Sequence, residues 1–401
     1  MRRIALVDFI TGGHHLAFMR LFTKALVELG NEVWVFYPEE QKIKNWTSSN
    51  VKSQSSVHFI SINIDQQKFT SFGRFNDMLS SIKLWSGVQR AIKREETRQG
   101  EKVDFVFLAW LDSFLACNFP IFIHRLVFKY EWSGLYFHPY HLRLQPESLG
   151  KKTRLNSIDY ILTSKRCKSV AIHDRTVADS FSKNRLSGKK VVVLPETADD
   201  SPADPTNKLA LEIKEKAKGR TIIGVIGITG YKGLYTMIKL ARIANPNQFF
   251  FVTIGQLNIS HYPSEQHHEV LKFLHQPTEN QFVYLDRLNE GKEFNSVFLT
   301  IDIPFLVYNN FMSTSNNLTK AVQMGKKVVV SKGFCIGEDV EKYQLGVTIR
   351  QGDEGQALQA IKVLKGSLKL SASEKKLFEK YVRLNSTQEL KLKLKKLLAV
   401  S

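Results

Sequence analysis

Short apolar segments of strand character alternate with amphipathic segments of helical periodicity along the whole chain. This alternation is typical of parallel α/β architecture and argues against a β-sandwich or a helical bundle. At 401 residues the chain is longer than one hydrophobic core usually supports, and its 43% apolar content is enough to fill two. We therefore expect two Rossmann-like, doubly wound α/β domains that face a central cleft. The predicted strands lie near residues 4–9, 32–37, 57–64, 105–110, 132–137, 160–163 and 191–194, and near 221–226, 249–254, 282–285, 303–307, 327–331 and 347–350.

The polar, proline-bearing segment 195–205 has the composition of a linker. We expect an N-terminal domain over residues 1–195, a linker over 196–205 and a C-terminal domain over 206–380. The tail, residues 381–401, is rich in lysine and carries leucines at helical spacing: Leu390, Leu394, Leu397 and Leu398. We expect it to form a helix that packs back on the protein, and an amphipathic helix lying on a membrane is the alternative.

The formal net charge of +19 indicates an acidic partner, which can be an anionic lipid, a nucleic acid or a polyanionic substrate. The basic side chains cluster late in the first half, at Lys151, Lys152, Arg154, Lys165, Arg166, Lys168, Lys183, Arg185, Lys189 and Lys190. No recognisable nucleic-acid motif accompanies them, so we favour an anionic membrane surface and expect no nucleic-acid partner. A basic face that is merely solvated is the alternative.

Cysteine usage and hydropathy favour a cytoplasmic protein. The three cysteines, Cys117, Cys167 and Cys335, form no CxxC pair and have no histidine at metal-ligand spacing. This argues against a zinc site or a disulfide framework and favours a reducing compartment. The first residues enter a strand and a glycine turn without a small-residue cleavage site, which disfavours a signal peptide. The apolar stretch 105–128 is interrupted by charged residues and a proline, so no transmembrane helix is predicted.

The segment from Arg220 to Lys239 places a glycine turn and a lysine between an apolar, β-branched run and a helix-forming run. Gly227 and Gly230 end the strand, and helical spacing returns after Lys232 and Gly233. The N-terminus of such a helix presents unpaired N–H groups that attract phosphate oxygens. An anion site is therefore predicted here, and an ordinary strand-to-helix turn with a solvated lysine is the alternative.

A second candidate anion site comprises residues 313–321, which precede a predicted helix. Its small hydroxyl and amide side chains, among them Ser313, Ser315 and Asn316, are good N-caps. The same arrangement would present free N–H groups to a diphosphate. Together with the turn at Lys232 it predicts a diphosphate cradle, although neither segment has the spacing of a Walker P-loop or a GxGxxG fingerprint.

Histidines follow two of the predicted strands of the first half. Residues Gly12, Gly13, His14 and His15 lie between the first strand and its helix, where a histidine donates a hydrogen bond to a ligand or caps the helix. His138 ends another strand and precedes a proline. A strand-end histidine is suited to bind a sugar hydroxyl or to shuttle a proton, which makes His138 the candidate catalytic residue. A histidine that is satisfied within its local turn is the alternative.

The chain resembles the GT-B-fold, nucleotide-sugar-dependent glycosyltransferases of the large "group 1" family in four stretches: GGHH with the helix after it, IGVIGITGYKGLYTMIKLA, FVTIG, and NNLTKAVQMGKKVVVSKGFCIGEDVEKYQLGV. The resemblance spans nearly the whole chain and is clearest from residue 221 to 347. Its most specific pieces are YKG, A-x-x-x-G-K-x-V-V-x-S and the pair Gly337-Glu338. It implies two Rossmann-like domains, a nucleotide diphosphate sugar held mostly by the C-terminal domain, an acceptor held mostly by the N-terminal domain, and no cofactor or metal.

The resemblance also implies roles for individual residues. Lys232 would neutralise the diphosphate leaving group as charge develops on it. The donor and its diphosphate would lie against Gly12, Gly13, Gly227, Thr229, Gly255, Ser313, Ser315, Asn316, Asn317, Leu318 and Lys320. Glu338, His14 and His15 would contact the acceptor or the transferred sugar.

The sequence departs from the family pattern in two places. Met312 and Lys320 stand where the family typically carries two glutamates, and Ile228 and Thr229 stand where it usually has an arginine. The carboxylate that often contacts the donor's sugar or ribose is therefore absent.

These observations predict a cytoplasmic glycosyltransferase, peripheral at the inner face of the membrane, that uses a nucleotide diphosphate sugar. The expected acceptor is a polysaccharide, a glycolipid or a related lipid-linked glycan, and the expected reaction retains the anomeric configuration without a metal. A non-catalytic relative that binds sugar or nucleotide is the first alternative, because the two glutamates are missing. A GT-B-fold nucleotide-sugar epimerase is the second.

Overall fold

A computed structural model describes residues 1–11, 15–64, 74–115, 120–144, 160–184 and 189–399 of the chain. The chain divides into two compact units. The first contains Met1–Pro195 together with Thr387–Ser401, and the second contains Glu196–Ser386. In the described part of the chain, every helix is too short or too polar to cross a membrane.

The first unit contains a parallel sheet of seven strands in the order β3-β2-β1-β4-β5-β6-β7. The strands are β1 (Arg3–Val7), β2 (Glu32–Phe36), β3 (Val57–Ile60), β4 (Phe105–Leu108), β5 (Trp132–Tyr136), β6 (Ser169–Ile172) and β7 (Lys190–Val193). The connecting helices are α1 (His15–Glu28), α2 (Glu40–Asn50), α3 (Arg74–Gln99), α4 (Ile121–Val127), α5 (Tyr140–Leu144) and α6 (Arg175–Asn184). The strand order reverses between β1 and β4, where ligands bind in doubly wound sheets.

The second unit contains a parallel sheet of six strands in the order β10-β9-β8-β11-β12-β13. The strands are β8 (Thr221–Ile226), β9 (Phe249–Ile254), β10 (Gln281–Tyr284), β11 (Ile303–Leu306), β12 (Val328–Ser331) and β13 (Gly346–Ile349). The helices are α7 (Lys208–Ala217), α8 (Leu234–Ile243), α9 (Ser264–His275), α10 (Lys292–Thr300), α11 (Asn316–Gln323), α12 (Phe334–Tyr343), α13 (Glu354–Lys365) and α14 (Ala372–Leu384). Here the order reverses between β8 and β11.

Helices cover both faces of each sheet, which is why the central strands are continuous apolar runs. Every residue of β8 and β9 is buried, and the two faces of this sheet belong to separate hydrophobic clusters. The expectation of two Rossmann-like α/β domains is therefore confirmed by two parallel, doubly wound sheets.

The last helix of the chain, α15 (Thr387–Leu398), belongs to the first unit. Its leucines Leu390, Leu394, Leu397 and Leu398 are buried in the same cluster as residues of α1 and β7. Helix α14, which precedes it, belongs to the second unit. The chain therefore returns to its first unit after completing the second.

Two features of the first sheet differ from the sequence prediction. The predicted strand at 160–163 is wrong, because Tyr160–Thr163 forms a short 3₁₀ turn. The strand β6 was not predicted, although it pairs with both β5 and β7. The sequence YILT has strand propensity, but strand pairing is decided by neighbours distant in sequence.

Candidate functional site

In the second unit, the loop between β8 and α8 lies at the point where the strand order reverses. At two positions of this loop, close contacts with the backbone of other segments leave room only for glycine. A Cβ on Gly230 would lie 1.8 Å from the carbonyl oxygen of His261, and one on Gly233 would lie 2.2 Å from that of Val307. Gly233 also has a φ of +79°, which disfavours any other residue. The loop is therefore fixed against its neighbours.

The loop also packs on the end of β9. Gly255 follows β9, and a Cβ there would lie 3.1 Å from the Cα of Gly227. The hydroxyl of Tyr262 donates to the carbonyl oxygen of Ile228 at 2.7 Å. Gly227 and Gly255 thus lie at the predicted edge of the sheet, where their backbones are in close contact with each other.

Lys232 folds back over the start of the loop, since a Cβ on Gly227 would lie 2.7 Å from its Nζ. The Nζ also lies 6.0 Å from the ring centre of Tyr308. Burial lowers the pKa of Lys232 from its ordinary value, against weaker opposing effects of Tyr231 and Glu290. Within the part of the chain that the structure describes, this ammonium has neither an ion pair nor a hydrogen bond. An unpaired, partly desolvated cation of this kind attracts an anion.

Helix α11 begins beside this loop. The Nδ2 of Asn317 donates to the carbonyl oxygen of Ile226 at 3.2 Å and approaches the hydroxyl of Tyr308 at 3.4 Å. The structure therefore brings together the two segments that the sequence singled out as anion sites. Ser315 is the N-cap, and its Oγ lies 3.5 Å from the same tyrosine hydroxyl.

The first turn of α11 has backbone donors to offer. Among the described residues, no acceptor binds the N–H groups of Asn316 and Asn317, whereas the N–H of Leu318 donates to the Ser315 carbonyl oxygen at 3.1 Å. Two buried hydroxyl oxygens of the same segments, Thr229 Oγ1 and Ser313 Oγ, also have no hydrogen-bond partner there. Free N–H groups at a helix N-terminus beside an unpaired lysine form a geometry suited to a diphosphate.

The structure also describes Lys320, a predicted donor contact, and Glu338, a predicted acceptor or sugar contact. The Nζ of Lys320 contacts the Oδ1 of Asn295 at 2.5 Å and lies 4.6 Å from the ring centre of Phe294. It also lies 3.5 Å from the carbonyl oxygen of Asp199. Burial lowers the pKa of Lys320, whose amine contacts α10 and the irregular segment that precedes α7. Glu338 is exposed on α12.

Sequence reasoning missed the aromatic residues around Lys232. Tyr231 stacks on Phe311 with ring centres 5.3 Å apart and an interplanar angle of 2°. Tyr308 meets Phe311 edge-on at 5.2 Å. The only sequence signal was a tyrosine and a phenylalanine just after a predicted strand, which is too common to single out.

In the first unit, His15 begins α1 and its Nδ1 lies 2.7 Å from the Oδ2 of Asp8. Asp8 follows β1 and is 2% exposed, and its other oxygen accepts the N–H of Ile10 at 3.1 Å. The ring of His15 lies 4.2 Å from that of Trp110, which follows β4. A carboxylate that accepts the Nδ1 proton leaves the Nε2 lone pair available to a hydroxyl.

His138 lies at the end of the neighbouring strand β5. Its Nδ1 is 3.3 Å from the Oδ1 of Asp112, whose two oxygens already accept the N–H groups of Phe137 and His138 at 2.7 Å each. The ring of His138 lies 5.5 Å from that of Trp110. Both histidines therefore flank one tryptophan at the end of the first sheet. Gly12, Gly13 and His14 lie outside the described residues.

Neither aspartate is among the site residues predicted from the sequence. Asp8 and Asp112 each follow a strand closely, as their histidine partners also do. Because the strands are parallel, residues that follow them lie at one edge of the sheet. This rule was the only sequence information that could have indicated that the aspartates lie near the histidines. Across the described residues, no group of three or more His, Cys, Asp or Glu side chains could hold a metal ion.

No protein-family model and no curated protein matches this sequence. Solved structures do match over its whole length. The HepE protein of Anabaena, in complex with UDP-glucose, superposes with a TM-score of 0.68 at 11% identity over 100% of both chains. The chain has the GT-B fold. Sucrose-phosphate synthase from Thermosynechococcus elongatus matches this GT-B chain with a TM-score of 0.66 at 14% identity, over 100% of this chain and 98% of that one.

A further GT-B protein in the comparison is WaaG, described as a glycosyltransferase involved in lipopolysaccharide biosynthesis. It matches with a TM-score of 0.56 at 13% identity, over 100% of this chain and 99% of that one. The resemblance of the sequence to GT-B-fold glycosyltransferases is thus confirmed at the level of the fold.

Proposed function

We propose that this protein is a glycosyltransferase that moves a sugar from a nucleotide diphosphate sugar to a glycan or a lipid-linked acceptor. The observation that carries the proposal is the unpaired ammonium of Lys232 beside the free N–H groups of Asn316 and Asn317. The HepE structures, which contain UDP-glucose or UDP, support the choice of a nucleotide diphosphate sugar as donor.

In the proposed reaction, the oxygen of an acceptor hydroxyl forms a bond to the anomeric carbon and gives up its proton. The bond between that carbon and the diphosphate oxygen breaks, and the diphosphate leaves with the electron pair. Negative charge therefore grows on the leaving group in the transition state. Lys232 and the N-terminus of α11 stabilise that charge, because fixed donors in a partly desolvated site need no reorganisation. The hydroxyls of Thr229 and Ser313 supply two more donors to the same group.

On the acceptor side, we assign hydroxyl contacts to His15 and His138. Asp8 fixes the tautomer of His15, and this leaves Nε2 as the acceptor of a hydroxyl proton. His138 contacts the acceptor or the transferred sugar. We propose that the reaction retains the anomeric configuration, requires no metal and takes place in the cytoplasm at an anionic membrane surface.

A non-catalytic nucleotide-sugar-binding protein is the second candidate. The buried contact between Lys320 and Asn295 favours it, because this lysine stands where the resembling family carries a glutamate. Such a protein would bind the donor and release no product.

The test is sugar transfer measured by mass spectrometry, with a panel of nucleotide sugars offered against polysaccharide fragments and glycolipids. The wild type should add one sugar mass to an acceptor and release the nucleotide diphosphate. The Lys232→Met variant should lose roughly 100-fold or more in turnover, because it lacks a transition-state charge contact. Lys239→Met, in the following helix, is the matched control and should keep full turnover. Donor binding without any product would instead identify the non-catalytic protein.

A further inference from the structure

Helix α4 in the first unit carries the two most exposed large apolar side chains inside any described helix. Phe122 is 65% exposed and Leu126 is 70% exposed. They lie four residues apart, so their side chains are neighbours on one face of the helix. Isolated exposed apolar residues are common and need no explanation, whereas contiguous exposed apolar surface is typical of an interaction site. This adjacent pair is therefore a candidate for such a site.

The opposite face of α4 is fixed to the core. His124 and Phe128 are fully buried, and both rings pack against Trp85, at 4.5 Å and 4.9 Å. Burial, with Arg166 and Arg125 nearby, lowers the pKa of His124 to about 3, so this histidine is neutral. The helix is therefore held rigidly while Phe122 and Leu126 face outward.

Positive charges accompany the apolar pair. Arg125 is exposed on α4 beside Leu126, and Lys129 is exposed just after the end of the helix; within the described chain, neither has an ion-pair partner. Lys168 and Arg125 act together to lower the pKa of the half-buried Lys189, after the larger effect of its burial. Arg166 donates to the Lys129 carbonyl oxygen, which brings a further cation to the end of α4. Among the described residues, Lys168 is the only one of these cations with an ion pair, which it forms with Glu131 at 2.6 Å.

We propose that the outward face of α4, formed by Phe122, Arg125 and Leu126, docks the protein on an anionic lipid surface together with Lys129, which follows the helix. An apolar pair enters the boundary between headgroups and acyl chains, while flanking cations bind lipid phosphates. This inference deepens the proposed function, since it names the surface that would meet a membrane carrying a lipid-linked acceptor.

The positive charge of this face favours an anionic lipid surface over a second copy of the chain as its partner. Pairing two α4 faces would bring Arg125 and Lys129 of one copy against the same cations of the other, and like charges directly opposed are unfavourable. An anionic bilayer removes that repulsion. A nucleic acid would satisfy the cations, but it would leave Leu126 without an apolar partner.

The test is co-sedimentation of the full-length protein with vesicles, without donor or turnover. One vesicle set is phosphatidylcholine, and the other contains about one-third phosphatidylglycerol. We expect binding to the anionic vesicles only. The double variant Phe122→Ser/Leu126→Ser should bind at least about tenfold more weakly. The variant Arg125→Gln/Lys129→Gln should lose about fivefold in affinity for each cation removed.

The matched control is Leu211→Ser/Val363→Ser, which removes two exposed apolar side chains of the second unit and should bind like the wild type. Equal binding to neutral vesicles would overturn the proposal, as would wild-type binding by both α4 variants or no vesicle binding at all. The proposal would also be overturned if the α4 variants lost self-association or RNA binding and still bound vesicles like the wild type. The thermal shift with nucleotide sugars should be the same in every variant, so failure of the docking surface and failure of the donor site are separable.

Discussion

At the scale of single residues, the surroundings of Lys320 explain why a positively charged side chain is favoured at this position. It replaces a glutamate of the resembling family, and its Nζ meets the carbonyl oxygen of Asp199 and the Oδ1 of Asn295. Asp199, Asp200 and Glu290 act on it electrostatically and favour a positive charge. A glutamate in this place would meet acceptor oxygens and negative side chains.

We therefore predict that Lys320→Glu destabilises the second unit rather than restoring a family contact. The free energy of unfolding should fall by about 3–5 kcal/mol, because a buried charge is left uncompensated. Lys320→Met keeps an apolar contact with Phe294 and should cost only about 1–2 kcal/mol for the unsatisfied Asn295 oxygen. Denaturant unfolding of both variants measures the difference, and equal stability of the two would contradict this account.

Residue types and their order along the chain were enough to predict that Lys232 and the N-terminus of α11 lie close together, and their role in binding a diphosphate stays a prediction. They follow adjacent strands that the sequence pattern already showed. The contacts of Lys320 could not be predicted, since they depend on α10 and on a segment 121 residues away. The pairing of Asp8 with His15 and of Asp112 with His138 could not be predicted either, because the sequence does not show how side chains are oriented.

At the scale of elements, α15 is held through its last carbonyl groups as well as its leucines. The carbonyl oxygen of Leu398 accepts Arg2 Nη1 at 2.8 Å, and that of Leu397 accepts Ser169 Oγ at 3.0 Å. Lys190 Nζ donates to the carbonyl oxygen of Lys396 at 2.9 Å. Carbonyls at a helix C-terminus lack partners within the helix, so these three side chains satisfy them.

Leu394→Ala should destabilise the first unit by about 2–5 kcal/mol, because this fully buried leucine would leave a cavity. Leu392→Ala, on the exposed face of the same helix, should change stability by no more than about 0.5 kcal/mol. Amide hydrogen exchange would localise the effect to α1, β6 and β7. Faster exchange confined to β8–β13 would show that α15 supports the other unit.

Strand prediction was most accurate for the long apolar strands β8 and β9, and it missed the short strand β6. β8 and β9 have six buried residues each and their predicted bounds match. β6 has four residues, SVAI, and follows a basic segment, so only its pairing with β5 and β7 identifies it. The segment Tyr160–Thr163, which was wrongly predicted to be a strand, is a turn that buries Ile161 and Leu162 without joining the sheet. Apolar character therefore predicted burial there, but not backbone conformation.

At the scale of the whole molecule, the two units repeat one architectural plan with different chemistry at the end of each sheet. Within the described residues, the end of the second sheet carries an unpaired lysine and free N–H groups, which suit an anion. The first carries two carboxylate–histidine pairs beside a tryptophan, which suit hydroxyl groups. The proposed assignment of the donor to the second unit and of the acceptor to the first is based on this difference, because the GT-B fold alone does not specify it.

The measurement that tests this account most directly is a thermal-shift panel of UDP, GDP, ADP and their sugar conjugates. A ligand that binds only the native state raises its apparent stability, by about 2.7 kcal/mol at a concentration of 100 Kd. We predict a clear shift with one nucleotide series for the wild type and for Lys239→Met, and none for Lys232→Met. The shift should shrink as the pH rises through the lowered pKa of Lys232, because the free protein then lacks the proton that diphosphate binding requires. Equal shifts with and without the Lys232 ammonium, or no shift with any nucleotide, would contradict the central claim.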